Sequence, residues 1–306
     1  RGSLDPNGRI TGYQFTTKCF SGRAETLAHY LTGAKPAKPA VLAQGDRNAV
    51  PPYFGIPNLQ VSVLDLVPPV RAARMRGVAS LPNSFAHECF MDELAVAASA
   101  DPLKFRLDRL NDPRATAVLA AAAKKAGWET RAPRKPDLAA GGIAKGRGLA
   151  YARYTHGEFP GYGAAYTAWV ADVEVDLGSG EARVTRVVVA QDAGLMVNPK
   201  GVELQVHGNV IQSVSRALME EVRFDAAGVT SLDFSTYPIA KFPDVPEIQV
   251  VLLDRPDDPP LGVAEAASVP SAAAIANAIF DATGARLRRV PFTPQRIKSA
   301  LAALRR

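Results

Sequence analysis

"AYTAWVADVEVDLGSGEARVTRVVVAQ", Ala165–Gln191, is the stretch on which the fold class turns. β-Branched and aromatic residues fill Ala165–Val175 and again Ala182–Gln191, and each run suits a strand. The intervening "DLGSGEA" supplies glycines where a tight connection needs positive φ, so the pair reads as an antiparallel hairpin.

Outward from the hairpin, strands and helices alternate irregularly. A strand is expected over Gly148–Tyr154, inside the Gly-rich "AAGGIAKGRGLAYARY". Val202, Val206, Val210, Val214 and Leu218 recur every four residues, which predicts a long amphipathic helix beginning just after "NPKG". A strand at Ile248–Leu253 follows, then a small-residue helix for which Ser268 is the candidate N-cap, then a helix over Pro294–Leu304.

Upstream, "LDPNGRI" reads as a turn between two strand-like pieces, the second being Ile10–Phe20. A short helical pattern at Arg23–Leu31 leads into a Pro- and Gly-dense connection, and Leu59–Val67 is a strand stopped by Pro68 and Pro69. From Asn83, the positions of Phe85, Cys89 and Leu94 predict a helix of about four turns. Asp101 caps and Pro102 opens a second helix, and a third runs from Ala115 to Ala126, ending at Gly127. Without regular βαβ alternation, the fold class is α+β, with mixed or antiparallel sheets and packed helices. We expect one region over residues 1–136 and another over 137–306.

The chain has 306 residues, 47% of them hydrophobic and 22% charged, which can fill a core. Its net charge of +6 raises the possibility of nucleic acid. The densest basic clusters, "RAPRK" and "RLRR", lack interleaved aromatics, so they read as solvated faces and no nucleic-acid partner is expected. Two cysteines and four histidines fall at no zinc-site spacing, and no side-chain metal ligands are expected. No apolar run reaches the roughly 20 residues of a transmembrane helix.

Three stretches can carry chemistry. "RMRGVAS", Arg74–Ser80, puts a Gly-containing loop and an Arg at a helix start, which is either an anion site or an ordinary turn. In "VVVAQDAGLMVNPKGVELQVHG", Asp192 is either a base or a turn-binding carboxylate, and the structural role is favoured. Gln205 and His207 fall on the polar side of the helix. In "PPLGVAEAASVPSAAAIANAIF", Pro259–Phe280, Glu265 stands alone among apolar residues. It is either a carboxylate stabilised by a helix end or a base in an apolar pocket, where burial and the helix end act oppositely on a carboxylate's proton affinity.

Together with "YFGIPN", "FAHECFMDELA" and "DPLKFRLDRL", these words resemble the molybdenum hydroxylases, the xanthine dehydrogenase and aldehyde oxidase family. They are most similar to the large subunit of the isoquinoline 1-oxidoreductase type, from Ile10 onward. The resemblance implies a molybdopterin cofactor, in the cytosine dinucleotide form, and hydroxylation of an N-heteroaromatic or aldehyde carbon with water as the oxygen source. It makes Glu265 the catalytic base and brings Arg76, Gly77 and Val78 to the cofactor, with Gly262 and Ala264 in the word before the base. The family's Gly-Val-Gly-Glu reads Gly262-Val263-Ala264-Glu265, so Ala264 would be strained if its position required positive φ.

Neither a Gly-Gly-x-Phe-Gly nor a Gly-Gln-Gly word occurs; in this branch both lie upstream. The resemblance therefore implies the C-terminal portion of a large subunit whose N-terminal half is a partner in the site. A small subunit with a [2Fe–2S] cluster takes the electrons from a small-molecule substrate, and a periplasmic location is favoured over a cytoplasmic one. The alternative is a degenerate half that keeps the fold and serves only as a structural or assembly partner.

Overall fold

The computed structural model describes residues 1–20, 27–34, 45–70, 73–130, 142–156 and 163–304. Its first sheet holds β1 (Gly2–Leu4) antiparallel to β2 (Ile10–Phe20), as the turn word predicts. Asp5 closes that turn by accepting from the N–H groups of Asn7 and Arg9. A short α1 (Leu27–Leu31) is the described part of the helix expected from Arg23. β3 (Leu59–Leu66) then joins β2 in parallel.

Three helices follow: α2 (Ser80–Ala97), α3 (Pro102–Leu107) and α4 (Pro113–Ala126). Asp101 caps α3 by accepting from the Lys104 N–H at 2.9 Å, and Gly127 ends α4 with a left-handed φ of 65°. α2 begins at Ser80, ahead of the Asn83 start expected from its apolar residues. The reason is that its buried face is largely polar: Ser80, Asn83, Ser84, His87, Glu88 and Asp92 are all buried, so apolar spacing understates the helix.

The second sheet begins with β4 (Ile143–His156), β5 (Gly163–Asp176) and β6 (Ala182–Asp192) in antiparallel order. The long helix α5 (Pro199–Leu218) starts where "NPKG" puts it, and Asn198 accepts from the Gly201 N–H at 2.9 Å. A small hairpin, β7 (Phe224–Asp225) and β8 (Gly228–Val229), precedes β9 (Glu247–Leu252), which pairs in parallel with β6. Helices α6 (Ser271–Thr283) and α7 (Pro294–Leu304) complete the chain. The architecture is α+β. The division expected between residues 136 and 137 lies outside the described residues.

Both faces of the second sheet are covered, which explains its near-continuous apolar strands. Trp169, Ala171, Val173, Val187 and Val189 pack in one core with residues of α5 and α6. The alternate residues Ala168, Val170, Val188 and Ala190 share the other core with α4. On the α6 side the contact is backbone to backbone. A Cβ on Gly146 would lie 2.2 Å from the Ala278 carbonyl oxygen, and one on Gly148 would lie 2.2 Å from the Ala278 nitrogen. Glycines in β4 and alanines in α6 therefore let the helix sit directly on the strand. β4 extends back to Ile143, beyond the expected Gly148 start, because its ladder with β5 runs unbroken through both glycines.

A buried polar knot ties these layers together. Arg106 and Glu88 are fully buried and paired at 2.9 Å. Glu88 also accepts from the Tyr53 hydroxyl (2.6 Å) and the Tyr151 N–H (2.9 Å), while Asn277 of α6 donates to the carbonyls of Glu88 and Leu149. With these partners present the pair is satisfied; removing one would strand a buried charge at a cost of about 3–5 kcal/mol.

The fold yields two tests. Gly148→Ala inserts a methyl into a site with no room, and denaturant unfolding should show a loss of about 3 kcal/mol or more; a change below about 0.5 kcal/mol would contradict the backbone contact. The second concerns His87, which is buried, with Nε2 bound to the Ala49 carbonyl and Nδ1 to the Tyr13 hydroxyl. A carbonyl only accepts, so Nε2 carries a proton, and in the neutral ring Nδ1 accepts from the Tyr13 hydroxyl. Burial lowers His87 from 6.5 to about 4. The unfolded chain then binds more protons in this window, so stability falls as pH drops from 6.5 to 4. The loss should reach about 3 kcal/mol at full protonation, and the slope should be absent in His87→Gln.

Candidate active site

Three segments converge, and sheet and helix contacts explain how. At the end of β6, Asp192 is buried against Arg114 and Arg255 (3.0 Å) and accepts from the Gly194 N–H (3.2 Å). Burial opposes the anion, but Arg114, the Gly194 N–H and Arg255 hold the carboxyl below the usual range. It acts as a clamp, the structural role favoured from the sequence. Gly194, at φ 75°, lies so close to Pro259 that a Cβ would meet its carbonyl oxygen at 2.1 Å. Backbone bonds from Leu195 to Asp258 (3.1 Å) and from Leu261 to Ala193 (2.9 Å) then hold the run leading to Glu265.

Past that run the chain turns in a 3-10 segment, Ala266–Ser268, and enters α6. The buried Trp169 indole N–H fixes the turn by donating to the Ala267 carbonyl at 2.7 Å. Ser268 is not the N-cap of α6, as its position had suggested. The helix starts at Ser271 because the intervening turn uses the Ser268 hydroxyl and N–H to bond back to the Glu265 carbonyl, at 2.7 and 3.0 Å. Glu265 is thereby pinned by its own backbone and its side chain is left for other partners.

Those partners come from the Arg74–Ser80 loop and from β4. The Gly77 N–H donates to Glu265 Oε1 at 3.3 Å, and the Tyr154 hydroxyl donates to Oε2. Burial first, and then this hydrogen bond, push the Tyr154 hydroxyl well above the ordinary tyrosine range, so it remains a donor. The loop is conformationally demanding: Gly77 has φ 98° and Val78 has φ 44°. A left-handed β-branched residue is strained by about 1–3 kcal/mol, and such strain concentrates at functional sites. A Cβ on Gly77 would also crowd Ser268 Oγ at 3.0 Å.

α5 supplies the third wall. Arg76 donates to Gln205 Oε1 at 2.9 Å, and its own carbonyl accepts from Arg216 at 2.9 Å. Asn209 donates to the Ala264 carbonyl at 3.2 Å. The structure thus gathers Arg76, Gly77, Val78, Ala264 and Glu265. Ala264 takes no left-handed φ, so the strain considered for it does not arise, and Gly262 is exposed with no left-handed φ. His207 is half-exposed, 3.9 Å from Glu203.

Tyr154, Asn209 and Arg216 were not singled out from sequence. Tyr154 had one legible signal, a tyrosine in a glycine- and alanine-rich strand. Asn209 and Arg216 had none, because their partners lie on distant segments. Among the described residues no cluster of His, Cys, Asp or Glu could hold a metal ion, and no helix is long and apolar enough to cross a membrane.

Residues 89–246 match the family model of the molybdopterin cofactor-binding domain. The chain belongs to the molybdenum hydroxylase family. It is 52% identical over 300 residues to a nicotinate dehydrogenase chain of Pseudomonas putida, covering 98% of this chain and 25% of that one. It is 31% identical over 304 residues to the beta chain of isoquinoline 1-oxidoreductase from Brevundimonas diminuta, covering 99% of this chain and 36% of the relative. The chain therefore spans about a quarter to a third of the length of these curated relatives. Its fold superposes on quinoline 2-oxidoreductase from Pseudomonas putida 86 with a TM-score of 0.80 at 15% identity, over 98% of this chain and 61% of that one.

If the Tyr154 hydroxyl orients the carboxylate, Tyr154→Phe removes a hydrogen bond to a charged group worth about 1.5–3 kcal/mol. If that carboxylate also serves as a catalytic base, kcat of the native protein should fall about tenfold or more with an unchanged circular dichroism spectrum. A kcat within twofold of wild type would rule the role out.

Proposed function

We propose that this chain forms the base-bearing wall of a molybdenum hydroxylase centre that hydroxylates carbon next to a ring nitrogen, or an aldehyde carbon. The observation that carries the reading is the Glu265 carboxylate, held between the Gly77 N–H and the Tyr154 hydroxyl beside a left-handed Val78. In the net reaction a C–H bond is replaced by C–OH with oxygen from water, and two electrons and two protons leave.

The site's own chemistry fits the implied cofactor. Asn209, bonded to Ala264, has a buried Oδ1 acceptor without a protein partner, and Arg216, bonded to Arg76, has a buried Nε donor without one. Buried polar atoms without a protein partner are met by a ligand or by ordered water. A pterin with ring N–H groups and a phosphate offers both kinds. Asn209 and the Arg76–Val78 loop would hold the pterin, and the cytosine dinucleotide form is the version we assign. When bound, the molybdenum group supplies the two-electron oxidation.

The protein's part is proton handling and placement. Glu265 accepts the proton that activation of water releases, at the carboxylate oxygens that Gly77 and Tyr154 orient. The apolar residues Leu261, Val263, Ala266 and Val269 pack about Tyr154 on this side and limit water. Cys19 sits on β2 and Cys89 is buried in α2, so they form no cluster ligand set. Electrons then pass to a [2Fe–2S] centre on a small partner subunit, and the N-terminal half of the large subunit closes the site around a small-molecule substrate.

A purely structural half is the poorer reading, because it gives no account of the strained Val78 or of a carboxylate with two aimed donors. Glu265→Gln in the native protein should keep its molybdenum content and lose about 10³-fold in kcat, within the range for a general base. Normal turnover by the metal-loaded variant would refute the assignment.

A further inference from the structure

The Arg76–Val78 loop borders a second space. A cleft of about 330 Å³ is lined by Lys18 of β2, Arg74, Arg76 and Arg216, with Phe20 and Val78 among its apolar walls. The cations come from three separate elements, so no single charged run explains their meeting. Among the described residues, no carboxylate lines the cleft and none lies within ion-pair distance of these four side chains. Elsewhere the molecule pairs its arginines readily, as Arg147 and Arg186 do with Asp172.

Four like charges around one cleft repel one another, and field lines focus in a concave, partly apolar space. Arg216 adds a further cost: it is partly buried, its Nε has no partner, and one of its donors is committed to the Arg76 carbonyl. The arrangement is favourable once an anion enters. Planar guanidinium forks suit oxyanions, whose paired oxygens can each accept from them.

Resting on the molybdenum hydroxylase reading, we propose that Lys18, Arg74, Arg76 and Arg216 form an oxyanion subsite that takes a carboxylate or phosphate next to the loop that contacts Glu265. The two sources are the carboxylate of an aromatic substrate and a phosphate of the bound cofactor. Phe20 and Val78 give the cleft apolar surface against which an aromatic ring can lie. If a substrate supplies the anion, the cleft favours acidic heteroaromatic rings over neutral ones.

The test uses the native protein and the double variant Lys18→Gln/Arg74→Gln, since both of these residues are exposed and neither belongs to the packed core. Benzoate and inorganic phosphate are titrated calorimetrically into both forms. Steady-state kinetics compare pyridine-3-carboxylate with its neutral amide, and molybdenum content is measured in each preparation. A substrate subsite predicts that KM for the carboxylate rises at least tenfold relative to KM for the amide, with benzoate binding weakened in parallel. A cofactor subsite predicts instead a loss of molybdenum content and of phosphate binding. Unaltered carboxylate-to-amide preference, metal content and anion binding would overturn the proposal. Failure of the native protein to oxidise any heteroaromatic or aldehyde would defeat the hydroxylase reading alone, since anion titration would still decide the cleft.

Discussion

The structure depends on the direct contact of helix α6 with strand β4. With glycine at 146 and 148, no side chain separates the two backbones, and a methyl at either place would collide with α6. Such a contact leaves little freedom in where the helix begins. The start of α6 therefore fixes the 3-10 turn before it, and the turn fixes Glu265. Trp169 and Ser268 secure that sequence of placements from the sheet and from the turn itself. A carboxylate held this way does not depend on loop flexibility for its position.

Buried polar groups supply what apolar packing lacks, namely a unique registration of the layers. Glu88 and Arg106 join α2 to α3, and their hydrogen bonds reach Tyr53, Tyr151 and Asn277. Asp192 plays the corresponding part at the end of β6, where Arg114 and Arg255 meet. Stability held in these networks offsets the left-handed Val78 in the Arg76–Val78 loop. Rigid framework and strained loop are thus complementary, and the loop is the part that meets Glu265.

Much of this fold was legible in the sequence where periodicity carried it. The β5–β6 hairpin, the valine stripe of α5 and the Asp101 and Gly127 helix ends follow from local chemistry. Local signals failed where distant partners decide the outcome. α2 hides its start because its buried face is polar, and Ser268 is drawn from capping by the Glu265 carbonyl. The candidate site was legible only in part: Glu265 stood out by isolation and Arg76–Val78 by their loop, and the structure brings them together. Tyr154, Asn209 and Arg216 reach the same place through pairings across 111, 55 and 140 positions, which no spacing rule displays.

The central proposal is that Glu265, Gly77 and Tyr154 would face a molybdenum centre together. Crystals of the native protein, with molybdenum located by anomalous scattering at its absorption edge, test this most directly. The account predicts a single molybdenum peak within reach of the Glu265 carboxylate and beside the Gly77 N–H. A well-occupied peak elsewhere, with Glu265 out of contact and still bonded only to Gly77 and Tyr154, would contradict it.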